Sequence, residues 1–111
     1  MNLVYHSTRN SEETATASEA ILKGLTSDGG LFVPDSIPKL NVALEDLTKM
    51  SYQEIAYAVM KEFLTDFTEE ELKSCIAKAY DSKFDTEEIA PLAKVEDAYY
   101  LELFHGSTIA F

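Results

Sequence analysis

The chain is poor in the residues that build disulfide frameworks and metal sites. Its 111 residues include one cysteine, two histidines and no tryptophan. Cys75 has no partner for a disulfide within the chain. Its neighbours on a predicted helix are apolar, so we expect a buried structural thiol there rather than a nucleophile. His6, His105 and Cys75 are too few and too scattered to predict a tetrahedral metal site.

Basic residues and long apolar runs are also scarce. Nine Lys and Arg stand against twenty Asp and Glu, which gives a net charge of −11. Such a surface repels nucleic-acid phosphates and anionic headgroups, so we expect no nucleic acid and no membrane partner. No apolar run reaches the ~18 residues of a membrane span, and no basic region with a hydrophobic stretch opens the chain. These features predict a protein of the reduced cytoplasm.

What remains is the composition of an ordinary globular protein. Hydrophobic residues make up 46% of the chain and charged residues 26%, without repeats or low-complexity tracts. A chain of this length is the common size of one domain, which we assign to residues 1–111.

The few glycines and prolines mark the turns of the first half. Residues 3–8 favour a first strand, and residues 11–16 a loop or a frayed helix start. Ser18 is predicted to cap a helix over residues 19–23 that ends at Gly24. Residues 27–30 (SDGG) predict a turn before the apolar residues 31–33.

Three helices and two strands are predicted after that turn. A short helix is expected over residues 42–50, with Leu44 and Leu47 on one side. Two capping boxes then open longer helices, in which a hydroxyl and a carboxylate satisfy each other's backbone N–H groups. The first box is Ser51 with Glu54. The second is Thr68 with Glu71, and its helix should bury Leu72, Cys75, Ile76, Ala79 and Tyr80.

Two strand candidates at the end of the chain complete the predicted fold. They cover residues 92–95 and 98–104 and are joined by a turn at Glu96 and Asp97. The predicted fold class is α/β, as a small α+β-like domain with several helices packed on a small sheet.

Two loops carry the chemical interest. Residues 26–34 contain adjacent glycines, which a tight turn before a buried strand also explains. Residues 103–111 pass from a strand into a Gly-Ser-Thr stretch that presents amides and hydroxyls to an anion. A polar loop leaving a strand is the commoner explanation of such a run. The chain then stops on apolar residues, which suggests a truncation.

Residues 101–111 (LELFHGSTIAF) resemble the threonine synthase motif LELFHGPTLAFKD. Ser107 and Ile109 stand where that family usually has proline and leucine. Residues 5–9 (YHSTR) are similar to the family's opening Y-x-S-T-R. Residues 18–25 (SEAILKGL), 28–34 (DGGLFVP) and 51–56 (SYQEIA) are similar to further blocks of the family, in order. The resemblance therefore covers essentially the whole chain.

The resemblance implies the amino-terminal domain of a fold-type II pyridoxal phosphate enzyme. Threonine synthases convert O-phospho-L-homoserine and water to L-threonine and phosphate, and carry the cofactor on the lysine that follows the motif's last phenylalanine. This chain ends before that lysine, so we expect no bound cofactor and no activity from it alone. Its expected partner is the remainder of its own polypeptide, which holds the catalytic domains.

The resemblance also implies where site residues lie, although no residue here receives a catalytic role. The loop near the cofactor maps onto His105, Gly106, Ser107, Thr108 and Phe111. For Phe104 and Phe111, a place in the core is the commoner role. Thr108 and Arg9 are the candidates for contact with the substrate.

Two alternatives stay open from the sequence. One is a free-standing acidic protein-interaction module of the same ancestry. The other is a threonine-synthase-like pyridoxal phosphate lyase with another phosphorylated substrate.

Overall fold

The structure is a computed structural model that describes residues 2–10 and 12–108. Its amino-terminal part is a three-stranded antiparallel sheet in the order β2-β1-β3. The strands are β1 (Tyr5–Ser7), β2 (Thr14–Ala15) and β3 (Phe32–Pro34), and Tyr5 lies opposite both Ala15 and Pro34. The first predicted strand is confirmed over its central residues. The loop prediction for residues 11–16 is wrong at Thr14 and Ala15, because β1 supplies a pairing edge there; Ser11 lies outside the described residues.

Helix α1 (Ala17–Lys23) begins two residues earlier than predicted. Thr16, not Ser18, is its N-cap, and a reciprocal pair of hydrogen bonds links Thr16 with Glu19. Ser18 lies inside the first turn, where its backbone N–H donates to Oδ2 of Asp66 at 3.0 Å. The helix ends as predicted at Gly24, whose φ of 76° suits glycine.

The two long helices begin where their capping boxes predict. Helix α2 (Leu44–Leu47) is shorter than the predicted span, since Ala43 at its N-cap offers no side-chain acceptor. Helix α3 (Tyr52–Phe63) follows Ser51, and helix α4 (Glu69–Ala79) follows Thr68, with both boxes complete.

Helices α3 and α4 pack together through a narrow apolar stripe. Ala58 of α3 and Leu72 and Ile76 of α4 are buried. The predicted buried face of α4 was too wide, because Cys75 and Ala79 are exposed. Cys75 is therefore not the buried structural thiol that its apolar neighbours predicted.

Polar contacts join the sheet to the end of α3. The hydroxyl of Tyr5 donates to the carbonyl of Phe63 at 2.8 Å, and the backbone N–H of Leu3 donates to Oγ1 of Thr65 at 2.8 Å. Burial raises the pKa of Tyr5, with a smaller contribution from the charge of Asp66.

The carboxyl-terminal part is an antiparallel hairpin of β4 (Leu92–Val95) and β5 (Ala98–Leu101). The predicted turn at Glu96 and Asp97 is confirmed, with Glu96 at a φ of 53°. Strand β5 ends three residues earlier than predicted. The N–H of Glu102 still donates to the carbonyl of Pro91 at 2.9 Å, and the chain then leaves the ladder. The strands thus form two small sheets rather than one.

The chain is extended and exposes much apolar surface. Its radius of gyration is 16.3 Å, against about 13 Å for a compact domain of this length. Its accessible surface is 8245 Å², against about 6100 Å² for a compact monomer of this mass. Within the described residues, no helix is long and apolar enough to cross a membrane. The buried apolar side chains of the described part are Ala17, Ala58, Leu72, Ile76 and Ile89.

Candidate functional site

The glycine turn after α1 is organised around the carboxylate of Asp28. Its Oδ1 accepts hydrogen bonds from Thr26 Oγ1 at 2.6 Å, Ser7 Oγ at 2.9 Å and the backbone N–H of Gly30 at 3.3 Å. These bonds, with the Thr26 hydroxyl first and the Ser7 hydroxyl second, lower the pKa of Asp28. The ionised carboxylate of Asp28 thereby holds the turn against β1.

Gly30 is required by this packing. A Cβ at its position would lie 2.6 Å from Ser7 Oγ and 2.9 Å from the hydroxyls of Thr8 and Thr26. The preceding Gly29 has a φ of +78°, which other residues rarely adopt. Both glycines are therefore needed for the geometry of the turn. This agrees with the explanation from sequence that they form a tight turn before a strand.

Arg9, a sequence candidate for substrate contact, follows β1 and lies against the same turn. Its Nη1 donates to the carbonyl of Asp28 at 3.0 Å, and its backbone N–H donates to Ser7 Oγ at 3.1 Å. The side chain is exposed. One nitrogen of the guanidinium thus holds the turn, and the remaining donors face outward.

His105, the first residue of the predicted cofactor loop, bridges two carboxylates. Its Nε2 lies 2.9 Å from Oε1 of Glu102, and its Nδ1 is paired with Oδ1 of Asp85. The backbone N–H of Asp85 also donates to the carbonyl of His105 at 3.1 Å. The side chain is only 12% exposed. The hydrogen bond to Glu102, and then the one to Asp85, raise the pKa of His105.

This arrangement makes the imidazole a structural link between β5 and residues 84–86. Both ring nitrogens donate in the protonated form, which is the form that two flanking carboxylates favour. The carboxylates bind opposite nitrogens and do not converge on one point. Accordingly, the described part of the chain holds no group of three or more His, Cys, Asp or Glu side chains suited to a metal ion.

Sequence reasoning missed Asp85 and Glu102 as partners of His105. The spacing of Glu102, three residues before the histidine, was an available signal. Asp85 stood in a polar turn twenty residues away, and nothing local marked it.

The rest of the predicted loop is more open. A Cβ on Gly106 would lie 3.4 Å from the ring of Phe84. Ser107 and Thr108 are exposed, and their hydroxyls make no hydrogen bond to another described residue. Phe104 is 53% exposed, so its predicted place in the core is wrong for this chain. Phe111 lies outside the described residues.

The donors at Ser107 and Thr108 suit one side of a phosphate-bearing cofactor. Free hydroxyls can donate to phosphate oxygens. A cavity of about 390 Å³ lies beside Asp85, the partner of His105, although none of residues 105–108 lines it. Its lining includes the carboxylates of Asp81, Asp85 and Glu87, whose charge opposes a phosphate. Within the described residues, the loop therefore presents open hydroxyl donors, and the cavity next to Asp85 is acidic.

No hydrogen bond or ion pair among residues 2–10 and 12–108 joins Arg9 to the loop at 105–108. The two sets of sequence candidates lie on different elements, Arg9 after β1 and the loop at 105–108 after the hairpin.

Comparison with known proteins identifies the family. The sequence profile described as "Threonine synthase N terminus" matches residues 4–80. The threonine synthase of Saccharomyces cerevisiae is 40% identical over 97% of this chain and 23% of its own length. The chain thus spans about a quarter of the length of such relatives.

Two solved structures share the fold. The crystal structure of yeast threonine synthase superposes with a TM-score of 0.79 and 38% identity, over 93% of this chain and 22% of that one. The pyridoxal-phosphate-bound threonine synthase of Brucella melitensis superposes with a TM-score of 0.77 and 33% identity, over 98% of this chain and 24% of that one. The mixed α/β class predicted from sequence is confirmed by these neighbours. This chain belongs to the threonine synthase family and corresponds to the amino-terminal region of those enzymes.

Proposed function

We propose that residues 1–111 form the amino-terminal domain of a pyridoxal-phosphate-dependent lyase that converts O-phospho-L-homoserine and water to L-threonine and phosphate. The observation that carries the proposal is the 40% identity to a threonine synthase across nearly the whole chain. A structural neighbour with the same fold binds pyridoxal phosphate, which supports that cofactor for the complete enzyme. The interaction-module and related-lyase alternatives are not favoured by these relatives.

The loop of His105, Gly106, Ser107, Thr108 and Phe111 is the part of the chain that we place beside the cofactor. When bound, pyridoxal phosphate supplies an electron sink for carbanions. The role of this chain is to position donors. The exposed hydroxyls of Ser107 and Thr108 donate to phosphate oxygens of cofactor or substrate, while the His105 bridge fixes the start of the loop.

Thr108 and Arg9 are the residues that we propose for contact with the substrate phosphate. Thr108 offers one exposed hydroxyl. The outward nitrogens of Arg9 suit an anion, since a guanidinium donates to phosphate in a planar fork. In a chain with only nine basic residues, an arginine held in place by the glycine turn is a suitable anion contact.

The chain alone is proposed to be inactive. Covalent attachment of the cofactor needs an amine placed in a built pocket. The cavity next to Asp85, the partner of His105, is lined in part by carboxylates, which disfavour an anionic cofactor. The remainder of a threonine synthase polypeptide must therefore supply the pocket. The single cysteine of the chain agrees with a reduced compartment, and we propose the cytoplasm.

A growth experiment tests the function. The chain replaces the matched segment of the Saccharomyces cerevisiae threonine synthase, and the chimera is expressed in cells that lack their own enzyme. Growth without added threonine is the expected result. A chimera that is made in soluble form but leaves the cells dependent on threonine contradicts the proposal. The same relative without its matched segment is the control and should not support growth.

A further inference from the structure

A cavity of about 450 Å³ lies between helices α3 and α4. Its lining includes the buried side chains of Ala58 and Ile76, together with Val42 and Met50 from the segment before α3. Small-molecule sites in proteins usually have volumes of ~300–1,000 Å³ and mostly apolar linings with a few polar groups. The cavity therefore has the size and the lining of a small-molecule site.

Two lysines, one from each helix, meet at the ring of Tyr57 on the wall of this cavity. Nζ of Lys61 lies 5.6 Å from the ring centroid, and Nζ of Lys73 lies 4.9 Å from it. All three residues line the cavity. The attraction of an ammonium group to an aromatic face favours these positions. Two positive charges are therefore held close together beside the apolar lining.

One carboxylate outside the cavity lies near both lysines. Lys73 forms an ion pair with Glu69, which does not line the cavity. The hydrogen bond and the charge of Lys73 lower the pKa of Glu69, and the charge of Lys61 adds a smaller effect. Within the described residues, Lys61 has no ion pair of its own. One carboxylate thus serves two ammonium groups, which leaves one positive charge without a matching negative charge.

The acidic residue in the cavity lining, Glu54, does not supply that charge. It precedes Lys61 by two turns of α3, which is about 10 Å of helix rise. Its Oε2 accepts a hydrogen bond from the backbone N–H of Ser51 at 2.7 Å, as part of the capping box. The end of the cavity at Lys61 and Lys73 is therefore positive.

The charge of this end is opposite to that of the whole chain. The net charge is −11, and only nine residues are Lys or Arg. The chain as a whole therefore attracts cations and repels anions. Any preference of the cavity for an anion must come from Lys61 and Lys73.

We propose that the cavity binds an amphipathic carboxylate, whose anionic group lies between Lys61 and Lys73 and whose apolar tail lies against the apolar lining. A neutral apolar ligand would remove water from two ammonium groups without replacing its hydrogen bonds. A cationic ligand would be repelled by them. Arg9 and residues 105–108 do not line the cavity, so this proposal does not rest on the proposed function.

Three ligands with the same ten-carbon tail test the proposal. Decanoate, 1-decanol and decylammonium, each below its micelle concentration, are titrated into the chain at about pH 7, and calorimetry measures their binding. Decanoate should bind one molecule per chain, about tenfold or more tightly than 1-decanol, because the alcohol lacks the charge-assisted hydrogen bonds. Decylammonium should bind more weakly than decanoate, although the net charge of −11 attracts it.

Lys61→Gln tests the position of the anionic group. It should weaken the binding of decanoate about tenfold, because it removes one charged donor, and it should leave the binding of 1-decanol unchanged. Lys78→Gln removes the same charge from α4 at a position outside the cavity and is the matched control. Both lysines are exposed, so circular dichroism should show that both variants fold.

Ala77→Phe tests the position of the tail, because Ala77 lines the cavity and a larger side chain there fills it. It should weaken the binding of decanoate and 1-decanol alike, about tenfold or more, because less of the tail is buried. Ser74→Phe is the control, at an exposed position of the same helix that does not line the cavity, and it should change neither affinity.

The outcomes separate this proposal from the proposed function. Decanoate that binds no more tightly than 1-decanol, or a Lys61→Gln variant with wild-type affinity, overturns the site. A chimera with the Saccharomyces cerevisiae enzyme that supports growth but does not bind decanoate also overturns the site and leaves the function standing. A chimera that binds decanoate but fails to support growth leaves the site standing and contradicts the function.

Discussion

Nε2 of His105 lies 2.9 Å from Oε1 of Glu102, three residues earlier in the chain. The opposite nitrogen is paired with Asp85, so one imidazole ties the end of the hairpin to residues 84–86. The loop that we propose to lie beside the cofactor begins at this histidine. The bridge therefore determines where that loop starts.

The bridge predicts a stability that depends on pH. Because the pKa of His105 is raised in the folded chain above its unfolded value of about 6.5, its contribution is complete below about pH 6.5. It is lost as the pH rises through the higher folded pKa. Thermal melts of the wild-type chain and His105→Gln should differ more at about pH 6 than at about pH 9. A difference that grows with pH would refute the bridge; His6→Gln is the control for the other histidine.

The glycine turn predicts an intolerant position at Gly30. Gly30→Ala should lower the free energy of unfolding by about 1–3 kcal/mol, since the new Cβ meets the hydroxyls of Ser7, Thr8 and Thr26. Gly106→Ala is the control and should change it by about 0.5 kcal/mol or less, since its Cβ makes ordinary contact with Phe84. Urea denaturation measures both. Equal effects would show that the turn accommodates the methyl group.

The second capping box predicts a smaller loss of stability when its hydroxyl is removed. Thr68→Ala removes the acceptor for the backbone N–H of Glu71 and should lower the free energy of unfolding by about 1 kcal/mol. Ser74→Ala, at an exposed position within the same helix, serves as the control. If both variants melt at the wild-type temperature, the hydroxyl of Thr68 does not cap α4.

Local signals in the sequence predicted the starts of the long helices correctly. They did not predict features that depend on contacts between residues far apart in the chain. Ser51 and Thr68 each carry their partner three residues away, so the sequence contains the whole cap. At α1 two suitable caps stand two residues apart, and Asp66, 48 residues away, engages Ser18. The sequence around α1 holds no sign of that contact.

The same distinction explains the site. The motif at residues 101–111 indicated the proposed cofactor loop from sequence, but one of the two partners that orient His105 is Asp85, twenty residues earlier. The exposure of Cys75 also depends on how narrow the contact between α3 and α4 is. A helical apolar pattern predicts which side of a helix faces inward, not how much of that side a neighbour covers.

The proposed phosphate contact predicts a specific effect at Thr108. In the chimera, Thr108→Ala should lower kcat/KM for phosphate release about tenfold, the usual effect of losing a hydrogen bond to a charged group. Thr108→Ser keeps the hydroxyl and should retain most of the rate. Unchanged kinetics in the alanine variant would remove Thr108 from the site, whereas equal losses in both variants would indicate packing instead.

The central claim is that this chain completes a threonine synthase. The most direct measurement is phosphate release from O-phospho-L-homoserine by the purified chimera, with L-threonine quantified as the co-product. We predict release that requires added pyridoxal phosphate and forms phosphate and threonine in equal amounts. A folded chimera that releases no more phosphate than the Saccharomyces cerevisiae enzyme lacking its matched segment would contradict the claim.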